Sequence, residues 1–167
     1  MLSMTRKQLF LISAAAVVLT LSCYAQRKEL KPDDFGVMST DGVFSAELIQ
    51  QYDSSAQADK ISLPGVSVVL NHVGDYQVIV EITTIVNRVA TPRGIRVGDP
   101  KGKVLVAYGP GNEKKTEEGQ QALAYVFDNY DFGELRELYP FIGSFNMDFI
   151  MDKDRVKEIH IYVYYSF

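Results

Sequence analysis

The chain has 167 residues, 17 Lys plus Arg, 21 Asp plus Glu, one Cys, no Trp and a formal charge of −4. The length suits one ordinary domain, and 47% hydrophobic with 23% charged residues excludes a disordered, collagen-like or multi-span membrane chain. The acidic balance excludes general binding to the phosphate backbone of nucleic acids, which needs a basic surface.

At the N-terminus, Arg6 and Lys7 precede a 13-residue apolar run from Leu9 to Leu21, broken only by Ser13 and Thr20 and followed by small residues. This is the pattern of an export signal. The uncharged stretch from Gln8 to Gln26 is 19 residues, so an uncleaved anchor also fits by length. Two processing points stay open. Cleavage after Ala25, with Cys23 at the −3 position, would release a chain beginning at Gln26. Alternatively Leu19-Thr20-Leu21-Ser22-Cys23 resembles a loose lipobox, cleaved after Ser22, with Cys23 as the lipidated residue and Thr20 where Leu is preferred. A leader of residues 1–25, or 1–22 for a lipoprotein, therefore precedes the product. Losing Arg6 and Lys7 from the 17 bases leaves 15 against 21 acids, a charge of −6. Because Cys23 is the lone cysteine, the domain is expected to fold without disulfides, Cys-based zinc or a thiol nucleophile.

Residues 26–41 are polar and aperiodic, with Pro32 and Gly36, and read as a flexible tether to a single domain over 42–167. Phe44, Leu48, Ile49 and Tyr52 recur at helical spacing after a candidate N-cap at Ser45, predicting a first short helix. Strands are predicted over 66–71 and 76–86, joined through His72-Val73-Gly74-Asp75, with Val78, Val80, Ile82 and Val86 opposite Gln77, Glu81 and Thr83. Asp99 as cap, Pro100 at the first helical position and Gly109-Pro110 as terminator predict a second helix with a Val104, Leu105 and Tyr108 stripe. A strand over 122–128, a loop over 129–143 and a final hairpin follow. In that hairpin Phe145, Met147, Phe149 and Met151 oppose Asn146, Asp148 and Asp152. Ile159, Ile161 and Val163 oppose Glu158, His160, Tyr162 and Tyr164. The expected fold class is α+β: an antiparallel sheet of about five strands with two short helices on one side. The two helix-plus-strands halves suggest a degenerate tandem repeat.

Motifs that would carry chemistry are incomplete. Gly98, Gly102 and Lys103 are one residue short of a phosphate loop, and Val104 stands where magnesium needs a hydroxyl. Asp128-Asn129-Tyr130-Asp131 puts an aromatic ring where a calcium loop needs oxygen, and the Asp152 to Arg155 turn lacks the required Gly and length. Glu158 and His160 share a strand face and make a small hydrolase the alternative, without a visible third partner. No metal and no cofactor are expected. Aromatic excess remains: Tyr130, Phe132, Tyr139 and Phe141 in the 129–143 loop, and Tyr162 and Tyr164 beside His160 on the last strand. Tyrosine tolerates a half-wet surface and is enriched at recognition sites, so these seven residues are the candidate binding residues. The loop aromatics serve equally well as a lid packed on the core.

The stretch GIRVGDPKGKVLVAYGPG, the strand with Ala124-Tyr125-Val126-Phe127, and FNMDFIMDKDRVKEIHI resemble the small outer-membrane assembly lipoproteins of the SmpA/OmlA type and the related β-lactamase-inhibitory-protein modules. Ile95, Val97, Gly98, Val104, Gly109, Tyr125, Phe149, Val156 and Ile159 carry the likeness, over roughly residues 94–162. Pro110-Gly111 and the long aromatic insertion depart from it. The resemblance implies an exported, non-catalytic module acting in the bacterial envelope. It would be periplasmic, anchored at the outer membrane or secreted, with a protein partner, no nucleic acid and a lipid anchor if Cys23 is acylated. An enzyme-inhibitor-like protein is the alternative that the same resemblance carries.

Overall fold

A computed structural model describes residues 28–53, 60–73, 76–128, 133, 137 and 139–166. Among these residues the chain forms eleven strands and one α-helix, distributed over two antiparallel sheets. The small sheet orders β1 (Gly36–Ser39) between β2 (Ser45–Glu47) and β7 (Val89–Ala90). The large sheet runs β4 (Lys60–Leu63), β5 (Val66–Val73), β6 (Tyr76–Thr84), β11 (Arg155–Tyr165), β10 (Ile142–Asp152), β9 (Gln121–Asp128) and β8 (Asn112–Lys115). Strand β3 (Gln51–Asp53) pairs with the first residues of β6, on the edge whose far end is taken by β11.

The α+β expectation is thereby corrected to a mostly β molecule with a single α-helix among the described residues. The predicted first helix over 44–52 is β2, a turn and β3. Ala46 is buried and Ser45 and Glu47 are exposed, which is the period of a strand. Ile49 then takes φ +59° and redirects the chain onto β6, where its N–H donates to Ile79 O at 2.8 Å. With that helix gone, the tandem repeat has no structural counterpart. The large sheet is also wider than expected, gaining β3, β4 and β8, and a second small sheet forms. Lys31 to Ser39, within the predicted tether, contribute a 3-10 turn at Pro32–Asp34 and strand β1, with Phe35 and Val37 fully buried.

The helix α1 (Lys101–Tyr108) forms where Pro and Gly bracket it, but its start differs from expectation. Pro100 is the cap residue, and Asp99 Oδ2 instead accepts from Arg96 N at 2.8 Å and Lys103 Nζ at 2.7 Å. The Lys101 N–H donates to Asp154 O, so the β10–β11 turn satisfies a helix donor that no side chain caps. At the other end the Gly109 N–H donates to Leu105 O, and φ +80° there terminates the helix.

Period-two alternation sends Leu123, Tyr125 and Phe127 of β9, and Phe145, Met147, Phe149 and Met151 of β10, to one face of the large sheet. Val156, Ile159, Ile161 and Val163 of β11 join them there, all in one buried cluster. Two groups cover that face. Phe35 meets Phe145 and Phe127 with ring centroids 5.7 and 6.1 Å apart, and Tyr108 of α1 meets Tyr125 and Phe149 at 5.2 and 5.4 Å. On the opposite face Ala122, Ala124, Ser144, Asp148 and Ile150 are buried, while Val126 and Tyr164 are exposed.

Candidate functional site on the outer face of the large sheet

The alternation that buries one face of β9, β10 and β11 sends a polar set to the other. Antiparallel register aligns it in rows: Ala124, Asp148, His160 and Thr83 are successive cross-strand partners, as are Val126, Asn146, Tyr162 and Glu81. A groove of about 490 Å³ lies on this face, bounded by Glu81 and Thr83 of β6, Asp148 and Ile150 of β10, His160 and Tyr162 of β11, and the segment from Lys114 to Glu118. Lys114 of the edge strand β8 reaches past β9 to Asp148 on β10.

Asp148 is the buried group of this face, its side chain 8% exposed. Its Oδ2 accepts from Lys114 Nζ at 2.8 Å and from the Tyr162 hydroxyl at 3.5 Å. Its Oδ1 is buried without a hydrogen-bond partner. The same ammonium lies 3.4 Å from the Tyr162 hydroxyl and 5.9 Å from that ring's centroid. Partial burial tends to lower the Lys114 pKa, but the hydrogen bond to Asp148 and the charges of Asp148 and Tyr162 outweigh it, holding the ammonium above its ordinary value. His160 stacks on Tyr162 with centroids 4.6 Å apart, and its Nε2 stands 3.5 Å from Glu81 Oε1.

The candidate binding residues fall into three groups. His160, Tyr162 and Tyr164 lie together on this outer face, Tyr164 being 62% exposed. Tyr139 is buried in the core, where its hydroxyl accepts from Gln51 Nε2 at 2.5 Å, and Phe141 is half-buried between Tyr139 and Tyr165. These two serve packing, as a lid would. Tyr130 and Phe132 lie outside the described residues, as does Cys23, the lipidation candidate. Glu158 and His160 do share the groove; the imidazole Nε2 is buried without a hydrogen-bond partner, 3.5 Å from Glu81 Oε1.

Sequence reasoning missed Lys114 and Glu81 as site residues and saw Asp148 only as an outward strand position. An acid between apolar neighbours in Asn146-Met147-Asp148-Phe149 was the available signal. Lys114 gave none, because Asn112-Glu113-Lys114-Lys115 is polar throughout and lacks the alternation that marks a strand. Among the described residues no three His, Cys, Asp or Glu side chains converge as a metal site, and no helix is long and apolar enough to cross a membrane.

The chain matches no protein-family model, no curated protein and no solved structure.

Proposed function

We propose that this chain is an exported, non-catalytic protein-binding or assembly module of the bacterial envelope, acting through the outer face of its large sheet. The observation that carries this reading is the grouping of Tyr162 and the exposed Tyr164 with His160 and the exposed Val126 on the outer face of the large sheet. Tyrosine supplies large contact area at low entropic cost with a polar tip, the composition of interface centres. The basic n-region, apolar run and small residues before Gln26 support export, with Cys23 as the acyl acceptor if the lipobox is used. The resemblance of residues 94–162 to the assembly lipoproteins belongs to the same reading.

The test is cross-linking in envelope preparations of the native host, followed by identification of the captured protein. Replacing Tyr162 and Tyr164 together with Ser should abolish a specific cross-linked species and leave thermal unfolding nearly unchanged. A species that persists undiminished in the double variant overturns this use of the face. Mass spectrometry of the native N-terminus separates acylated Cys23 from free Gln26.

A further inference from the structure

We infer that the outer-face groove receives a cationic side chain, a lysine or arginine presented by a basic segment of the partner protein. The inference rests on the protein-binding reading above and names the chemistry of that partner. Its first support is electrostatic. Glu81, Glu117, Glu118, Asp148 and Glu158 line the groove, opposed by Lys114 and Lys115. A concave surface with excess carboxylate concentrates positive groups from solution and steers them inward.

An acidic lining alone would be a solvated surface. Asp148 makes it a site. It is 6% exposed, one carboxylate oxygen is engaged by Lys114, and the other has no donor. A buried acceptor left open costs free energy that a bound donor returns. The groove already shows what kind of donor fits: Lys114 Nζ sits 2.8 Å from Asp148 Oδ2, near the Tyr162 hydroxyl and over the edge of its ring. Carboxylate, phenol and π-face together make an ammonium or guanidinium receptor, and Lys114 is its resident cation. Lys114 is itself 41% exposed on a four-residue edge strand, so it can swing aside or share the carboxylate. The stacked rings of His160 and Tyr162 form one wall, on which a guanidinium plane lies favourably. Glu81 and Glu158 flank that wall and would hold the neighbouring charges of an extended basic segment.

The probes are a short oligo-arginine peptide and an oligo-glutamate peptide, titrated at low salt into the full chain with amide NMR shifts and anisotropy as readouts. Oligo-arginine should bind, with the largest shifts at Lys114, Asp148, His160 and Tyr162, and the affinity should fall with added salt. Asp148→Asn should weaken it roughly tenfold, about one charge pair's worth of affinity. Lys114→Met should strengthen it a few-fold, because a competing cation is gone. If Asp148→Asn does not fold, the rim pair Glu81→Gln with Glu158→Gln decides, and should weaken binding several-fold. Unchanged affinity in the folded variants, shifts confined to another surface, or tighter binding of oligo-glutamate overturns the inference. Should those results occur while Tyr162 and Tyr164 replacement still releases the cross-linked partner, the cationic chemistry fails and the protein-binding reading stands.

Discussion

Arg93 joins three parts of the chain through one guanidinium. Its Nε donates to Asp34 Oδ1 at 2.7 Å, its Nη2 to Asp34 Oδ2 and Glu29 O at 2.5 Å each, and its Nη1 to Ala107 O at 3.1 Å. Its plane also lies 4.9 Å from the Tyr108 ring centroid. The pair is mostly sheltered, with side chains 20% and 11% exposed, so removing one partner strands a charge in a poorly solvated place. Arg93→Met is expected to cost about 3 kcal/mol in urea unfolding and to expose the segment before Pro32 to proteolysis. A loss under ~1 kcal/mol would mean that Asp34 is rescued by water or by the Lys31 N–H, which donates to it at 2.8 Å. None of this was legible in Thr91-Pro92-Arg93-Gly94, which reads as a turn. The partner carboxylate lies 59 positions earlier, in a segment that reads as tether. Asp148 shows the same limit from the other side. Its outward direction followed from alternation, whereas its burial followed from a lysine on a strand without pattern.

At the scale of elements, local sequence was informative wherever hydrophobic alternation was strong. Strands β5, β6, β9, β10 and β11 fall on the expected segments because Val, Ile, Phe and Tyr recur every second residue there and both faces have distinct surroundings. The segment from Phe44 to Tyr52 satisfied a helical spacing and a strand spacing at once, and only pairing with β1 and β6 resolved it. Turns depend on single backbone positions, and Gly65 between β4 and β5 is the strictest. Its φ is +77°, and a Cβ there would lie 2.1 Å from Val86 Cγ1. Gly65→Ala combines left-handed strain with a steric clash, so a loss of roughly 2–4 kcal/mol is expected. Shortening Val86 to Ala in the same chain should recover the steric part and leave the strain. Equal destabilisation of the single and double variants, measured by thermal unfolding, would show that the clash relaxes elsewhere.

At the scale of the whole molecule, the two coverings of the inner face come together on tyrosines as well as phenylalanines, and this makes stability sensitive to alkali. Burial pushes the Tyr108 phenol up to about 12, and burial together with the Tyr108 charge raises Tyr125 further. A phenol whose folded pKa lies above its unfolded value of about 10 contributes stability that is complete below pH 10 and disappears as pH rises through the folded value. From Tyr108 alone the loss between pH 10 and pH 12 is on the order of 3 kcal/mol, at 1.36 kcal/mol per unit. Tyrosinate absorbance and backbone circular dichroism followed together should therefore change in one transition for these two rings. Early titration of all ten tyrosines in a still-folded chain would contradict their burial. The sequence by itself determined where strong strands and the helix lie, since alternation and Pro-Gly punctuation act over a few residues. It also determined the acidic balance and the basic-then-apolar run at the N-terminus. Only the tertiary structure decided the class of fold, because the added strands β1, β2, β3, β4, β7 and β8 are short or polar and exist through hydrogen bonds to neighbouring strands. The site was decided there too, since Lys114, Asp148, Tyr162 and Glu81 come from four strands whose register no local pattern records.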